Sequence, residues 1–157
     1  MAELTMALDC LHKLGFAHLD LRPENVGLDR LGHAKLLDFG AAEEMDDEHH
    51  IFPGSNLYGC PLYLAPELPL ALTKQAGNSH KRKLVDGRKC DYWSLGVCGL
   101  EMRSGQVPRG NKTTVIRELI GKGDDCEIGV ELRNVLEGLL QHDAALRFGY
   151  DDLVRHS

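Results

Sequence analysis

The fold is decided by two stretches that lie close together in the chain: His18-Leu19-Asp20-Leu21-Arg22-Pro23-Glu24-Asn25 and Asp38-Phe39-Gly40. Residues 26–37 between them are apolar at both ends and polar, with glycine, in the middle, a pattern that predicts a β-hairpin. With its turn centred on Leu31–Gly32, Asn25 and Asp38 fall opposite each other at the open end, and Asp20 lies on the adjoining loop. Two carboxylates and an amide that meet there suit Mg²⁺, a hard cation that shares its oxygen ligands with phosphate.

At these stretches the sequence resembles a protein kinase. The family motifs H-R-D-L-x-x-x-N, D-F-G and A-P-E correspond, in order, to His18–Asn25, Asp38–Gly40 and Ala65–Glu67, and Asp91-Tyr-Trp-Ser-Leu-Gly96 follows them. Only about seventeen residues precede the first motif, and the chain contains no G-x-G-x-x-G. The resemblance therefore implies a partial kinase domain over residues 1–157. It is the C-terminal lobe alone, mainly helical, with a short β-hairpin that carries the metal ligands. The N-terminal lobe is absent, so the chain is either a fragment or a truncated protein.

The same resemblance gives roles to the residues of the two stretches. Asp20 accepts the proton of the substrate hydroxyl, and Arg22 offsets charge near the transferring phosphate of ATP. Asn25 and Asp38 each hold a Mg²⁺ ion that bridges phosphate oxygens. Glu24 corresponds to a position that often faces basic residues near the phosphoacceptor, although an ordinary solvated loop glutamate is an equally good reading.

The resemblance also gives structural roles to His18 and to three further residues. Residues 38–67 correspond to the activation segment, in which Glu67 closes the segment and pairs with Arg147 in the helix-rich end of the lobe. Asp91 anchors the backbone of the catalytic loop, a role compatible with its reading as a helix N-cap. The polar, acidic residues 41–56 predict a flexible loop.

Four departures from the family pattern surround the retained acids. Leu19 replaces the arginine that meets a phosphate on the activation segment, and Arg22 replaces a lysine, with a planar guanidinium in place of a compact ammonium. Gly27 replaces the leucine that forms the floor of the adenine pocket. Cys60, on the substrate side, replaces a threonine that hydrogen-bonds the catalytic aspartate, and a thiol is a poor substitute. These changes favour a rival interpretation, a pseudokinase or docking module without phosphotransfer.

Composition sets broader limits. The chain is 43% hydrophobic and 27% charged with a net charge of −6, which indicates a globular domain and argues against nucleic acid as a partner. No apolar run is long enough to span a membrane. The five cysteines form no C-x-x-C pair, as is typical of reduced intracellular thiols.

Within the kinases, Cys90–Cys98 and Gly32–Gly40 resemble the AGC group, nearest to the Rho-associated, myotonic dystrophy and citron kinases. That resemblance implies a cytoplasmic serine/threonine kinase that transfers the γ-phosphoryl group of ATP to protein substrates, with cytoskeletal or Rho-pathway partners by analogy. Because such catalysis is mostly positioning and electrostatics, we expect the 157 residues alone to be inactive or nearly so.

Hydrophobic periodicity predicts the helices. An amphipathic helix over residues 2–14 ends at Gly15, and a nearly all-apolar helix runs from Asp91 to Ser104. Further helices are predicted at residues 112–122, 130–140 and 150–156, and a surface loop at 73–89.

Overall fold

The computed structural model describes residues 1–52, 59–69, 84–107 and 129–156. Its helices are α1 (Ala2–Lys13), α2 (Gly87–Ser104), α3 (Val130–Leu139) and α4 (Tyr150–Arg155), with a 3₁₀ turn at Pro23–Asn25. Its strands are β1 (Phe16–Ala17), β2 (Val26–Leu28), β3 (Ala34–Leu36), β4 (Glu43–Glu44), β5 (His50–Ile51) and β6 (Val85–Asp86). They pair as three antiparallel ribbons, β1 with β4, β2 with β3 and β5 with β6. Among the described helices, none is both long and apolar enough to cross a membrane.

Helix α2 is the centre of the molecule. Every residue from Cys90 to Leu100 is buried, in agreement with its apolar sequence. The helix begins four residues earlier than predicted, because Asp86 caps it by accepting hydrogen bonds from the backbone N–H groups of Arg88 and Lys89. The N-cap interpretation of Asp91 and the loop predicted for residues 85–89 are therefore wrong. The part of that loop at residues 73–83 and the helix predicted at residues 112–122 lie outside the described residues.

Helix α1 packs beside α2 through an amphipathic face, as its spacing predicted. Leu4 and Leu8 on this face are buried. The helix ends where expected, since Gly15 adopts a φ of 86°, a left-handed conformation that favours glycine. Leu14, the last residue of the predicted helix, lies just beyond α1 and is 73% exposed. The helices predicted at 130–140 and 150–156 correspond to α3 and α4.

The hairpin of β2 and β3 forms with a register one residue away from the predicted one. Val26 pairs with Leu36, and the Leu37 N–H donates to the Asn25 carbonyl at 2.9 Å. Asn25 therefore lies opposite Leu37, and Asp38 follows one residue later. The cause is the turn, in which the Asp29 carboxylate accepts hydrogen bonds from two backbone N–H groups and moves the centre to Leu31.

The acidic segment after Gly40 is more regular than its charge predicted. β4 pairs with β1, β5 pairs with β6, and the Asp46 carboxylate accepts hydrogen bonds from two backbone N–H groups in the turn between β4 and β5. Buried Met45 and Ile51 attach the segment to the core. Residues 41–52 contain two short strands where the sequence predicted only a loop, because buried Met45 and Ile51 hold this charged stretch against the core.

Candidate active site

The loop that carries the first stretch is attached to α2 through Asp91. This fully buried carboxylate accepts hydrogen bonds from the backbone N–H groups of His18 and Leu19, both at 2.8 Å. Buried His12 of α1 places its Nε2 2.8 Å from the same carboxylate. Leu19 is held at a φ of 63°, a conformation that costs energy for a leucine. Sequence reasoning missed His12, although a histidine on the apolar face of α1 is the signal that marks it.

Asp20 and Asn25 form the centre of the site. The side-chain amide of Asn25 donates to the Asp20 backbone carbonyl at 2.8 Å and to its Oδ2 at 2.9 Å. The other carboxylate oxygen, Oδ1, accepts a hydrogen bond from the Cys60 backbone N–H at 3.1 Å. Asp20 is therefore oriented through both oxygens. The contact from position 60 comes from the backbone, so the loss of a side-chain hydroxyl there leaves Asp20 with a donor.

Gly59 makes this contact sterically feasible. Its φ is 102°, and a Cβ at this position would lie 2.7 Å from the Leu19 carbonyl oxygen and 3.2 Å from Asp20 Oδ1. A side chain here would push the segment away from the loop that carries Leu19 and Asp20. Sequence reasoning did not single out this glycine.

The His18 imidazole connects the two stretches. Its Nδ1 accepts the Asp20 backbone N–H at 3.3 Å, so its Nε2 is the protonated nitrogen and donates to the Leu37 carbonyl at 3.1 Å. The ring also lies 5.3 Å, centroid to centroid, from Phe39. Asp38, between Leu37 and Phe39, is exposed with a φ of 57°, and its Oδ1 accepts the Gly40 N–H at 3.1 Å. One buried imidazole thus sets the position of the second stretch relative to the first.

Arg22 and Glu24 form a pair at the edge of the site. The Arg22 Nε lies 3.1 Å from Glu24 Oε2, and the two side chains are 31% and 60% exposed. An exposed pair of this kind contributes about 0–1 kcal/mol. Glu24 can therefore exchange this partner for another cation at little cost.

The predicted partners Glu67 and Arg147 lie together. Arg147 Nη1 and Nη2 donate to the two carboxylate oxygens of Glu67 at 2.6 and 3.0 Å. The arginine is 1% exposed, lies 5.1 Å from the Trp93 ring centroid, and also donates to the carbonyls of Lys89 and Gln141. This network joins the end of the 38–67 segment to α2 and to the chain between α3 and α4.

Two buried thiols of α2 belong to the core. Cys98 Sγ lies 3.8 Å from the Leu21 carbonyl, and burial raises the pKa of Cys98 to about 12. Burial also raises the pKa of Cys90, whose Sγ lies 3.6 Å from Glu67 Oε1. Across the described ranges the cysteines are free thiols.

The donor set suits Mg²⁺ bound together with phosphate. Asn25 offers an amide and Asp38 an exposed carboxylate, both hard oxygen donors, and few protein ligands are typical of an ion that keeps its waters. No cluster of three or more His, Cys, Asp or Glu side chains suited to a metal occurs within the described parts of the chain. The amide of Asn25 and the carboxylate of Asp38 are donors of the kind that fits Mg²⁺ shared with phosphate oxygens.

The chain belongs to the protein kinase family, since its sequence matches the protein kinase domain over residues 1–157. This confirms the family inferred from the ordered motifs around Asp20, Asp38 and Glu67.

Its curated relatives are serine/threonine kinases of the Rho-associated branch. They include serine/threonine-protein kinase MRCK gamma of Mus musculus, which is 31% identical over 99% of the chain and 10% of that protein. Rho-associated protein kinase 1 of Homo sapiens is 33% identical over 99% of the chain and 12% of its own length. Citron rho-interacting kinase of Rattus norvegicus is 32% identical over 89% of the chain and 7% of its own length. The branch named from the sequence is confirmed, and the chain spans about a tenth of the length of these relatives.

Proposed function

We propose that this chain carries the phosphate- and hydroxyl-binding half of a serine/threonine protein kinase active site, within a C-terminal lobe in which residues 38–67 are the activation segment. The reaction is transfer of the γ-phosphoryl group of ATP to a Ser or Thr hydroxyl of a protein. The observation that carries the proposal is the orientation of Asp20, whose two oxygens are hydrogen-bonded to the Asn25 amide and the Cys60 N–H.

In this mechanism Asp20 accepts the hydrogen bond of the substrate hydroxyl and takes its proton as the hydroxyl oxygen bonds to the γ-phosphorus of ATP. The bond between that phosphorus and the ADP oxygen breaks, and ADP leaves. Asn25 and Asp38 would hold Mg²⁺, which would neutralise the charge of the phosphate oxygens. Arg22 offsets further negative charge at the edge of the site. Glu24 exchanges its contact with Arg22 for a basic residue of the substrate, and a negative net charge of the whole chain favours such basic partners.

A cytoplasmic location, membership of the AGC group and cytoskeletal or Rho-pathway partners are proposed by analogy with the relatives. Transfer also requires a clamp on the nucleotide that these residues do not supply. We therefore expect the chain alone to transfer phosphate at a negligible rate, and turnover that disappears in Asp20→Asn would contradict this expectation.

Nucleotide binding tests the proposal directly. In the presence of ATP, Mn²⁺ should broaden the backbone NMR signals of Asn25 and Asp38, since a paramagnetic ion relaxes nearby nuclei. Asp38→Asn should remove this broadening, whereas Asp47→Asn, in the exposed acidic turn, should leave it unchanged. If the broadening is centred on the acidic turn, or is unchanged in Asp38→Asn, the pseudokinase or docking interpretation replaces the kinase proposal.

A further inference from the structure

A polar cavity of about 490 Å³ is lined by residues of α1, of the first turns of α2 and of the start of α4. The described residues that line it include none of Asp20, Asn25 and Asp38, so it is separate from the candidate active site. Its walls combine the aromatic rings of Tyr92 and Tyr150 with charged side chains of both signs. A concave space of this size with a few polar groups is typical of a small-molecule site.

The charges of this polar cavity are not all paired. Lys13 Nζ lies 2.6 Å from Asp9 Oδ2. Arg88 Nη2 lies 3.0 Å from Asp86 Oδ2. Lys89 lines the same space, but its ammonium forms no ion pair within the described parts of the chain. The cavity therefore contains one lysine ammonium that has no carboxylate partner.

Lys89 has donors available at the cavity wall. Its ammonium donates to the Arg147 carbonyl, and a Cβ on Gly149 would lie 3.5 Å from its Nζ. An ammonium has more N–H donors than this single contact uses. Burial lowers the pKa of Lys89, and the charges of Asp86 and Asp152 oppose that effect only in part. An anion bound beside Nζ would supply the partner that this half-buried charge lacks.

The Tyr92 hydroxyl is a second available donor. Lys89 and Tyr92 are three residues apart in α2, a spacing that puts both side chains on one face of the helix. Tyr92 is only 3% exposed and lines the cavity, and its hydroxyl has no hydrogen-bond partner among the described residues. Burial raises the pKa of Tyr92, so the hydroxyl keeps its proton and can donate. The two side chains together suit the two oxygens of a carboxylate.

The balance of charge favours a carboxylate over a phosphate. Asp151 and Asp152 also line the cavity, on the side of α4. The Lys89 ammonium can offset a single negative charge, whereas a phosphate dianion would leave further negative charge facing these two carboxylates. The same carboxylates can accept a hydrogen bond from a hydroxyl group of the ligand. The wall therefore matches a singly charged anion that also carries a hydroxyl group.

We propose that this cavity binds a small hydroxycarboxylate, whose carboxylate accepts hydrogen bonds from Lys89 and Tyr92 and whose hydroxyl donates to a carboxylate of α4. The Tyr150 ring borders the same space and can contact the carbon atoms of the ligand. The site does not rest on the proposed function, because none of these groups takes part in phosphoryl transfer.

The wild-type chain provides the first test. Sodium lactate, a small probe with both groups, replaces sodium chloride at constant ionic strength while backbone NMR signals are recorded. The signals of Lys89, Tyr92 and Gly149 should shift in a saturable manner, and those of Asn25 and Asp38 should not. Lactamide, which has no charge, should bind about tenfold more weakly or worse, because a charge-assisted hydrogen bond is lost. Propionate, which has no hydroxyl, should bind about threefold more weakly.

Variants provide the second test. Lys89→Met should weaken lactate binding by about tenfold or more, and Tyr92→Phe, which keeps the buried ring, by about threefold. Lys13→Met is the matched control, since it removes an exposed cation of the same cavity that already has a carboxylate partner. It should change the affinity for lactate by less than about twofold.

The outcomes are distinct. The proposal is wrong if lactate gives no saturable shift at Lys89, Tyr92 and Gly149, or if a folded Lys89→Met protein binds lactate as tightly as wild type. An equal loss of affinity in Lys13→Met would indicate general attraction of anions and would also overturn it. Tighter binding of inorganic phosphate than of lactate would exclude the carboxylate assignment. If Lys89→Met does not fold, Tyr92→Phe and the comparison of lactate with lactamide decide.

Discussion

Replacement of Arg147 by methionine should be among the most destabilising single changes in the chain. The substitution keeps a long side chain but removes the charge that faces Glu67 and the donors that satisfy three backbone carbonyls. Glu67 is left with a side chain only 13% exposed. Removal of one partner of a buried ion pair lowers the free energy of unfolding by about 3–5 kcal/mol. That is a large part of the total stability of about 5–15 kcal/mol expected for a domain.

The sole tryptophan of the chain makes the measurement direct. Trp93 is fully buried beside the Arg147 guanidinium, so its fluorescence reports unfolding of this region in urea. With a typical slope of about 2 kcal/mol per molar urea, the midpoint should fall by roughly 2 M. The melting temperature should fall by about 6–20 °C for a domain of this size. Far-ultraviolet circular dichroism should show the same midpoint.

Two further variants decide the cause. Arg103→Met, an exposed change of the same type on α2, should alter stability by about 0.5 kcal/mol or less. The double variant Glu67→Met with Arg147→Met should recover part of the loss, since apolar pairs often replace buried ion pairs at little cost. If Arg147→Met unfolds at the same urea concentration as Arg103→Met, the argument from the buried network is refuted.

Three further predictions concern other charged or titratable groups. Asp91→Asn should lower the free energy of unfolding by about 3 kcal/mol or more, because an amide cannot accept all the hydrogen bonds of this carboxylate. A melting temperature within 3 °C of wild type, which corresponds to roughly 1 kcal/mol, would contradict this. The pKa of Glu3 lies below its ordinary 4.5, held there first by the Ala34 N–H and then by His33. The stabilisation from this group is present above pH 4.5 and is lost as pH falls through the folded pKa. A carboxyl NMR titration should show that His33→Ala raises the pKa of Glu3 only part of the way to 4.5. A return of this pKa to 4.5 would assign the main effect to His33 instead. Because folding raises the pKa of Cys98 from 9.0 to about 12, the free energy of unfolding should fall as the pH rises from 9 to 12. Urea unfolding should show a smaller fall over this pH range in Cys98→Ala. An equal fall in both proteins would exclude the thiol as its cause.

The sequence was sufficient for the family, because the ordered motifs depend on side-chain chemistry. A hairpin after Asn25 and the helices α1, α3 and α4 were predicted because residue type and hydrophobic period carry that information. The hairpin register was missed by one residue, although Asp29 followed by Gly32 is a turn signal that marks a shorter loop. The segment after Gly40 was misread because its charge conceals buried Met45 and Ile51.

Other features could not have been read from one sequence. Asp86 and Asp91 are both of a residue type that caps helices. Asp86 is the cap, whereas Asp91 instead binds the backbone of His18 and Leu19, which lie far from it in sequence. The Cys60 contact with Asp20 uses a backbone N–H, which any residue except proline could provide. Residue identity at position 60 therefore gave no information about this contact.

The attachment of the loop that carries His18 and Leu19 to Asp91 has a consequence for local unfolding. The amide protons of His18 and Leu19 bond to a carboxylate inside the most buried helix, and α1 reaches the same carboxylate through His12. These protons can exchange with solvent only when the loop separates from the core. Their protection against hydrogen exchange should therefore equal that of α2, whereas most active-site loops exchange far sooner. We therefore expect the loop and the central helix to unfold as one cooperative unit.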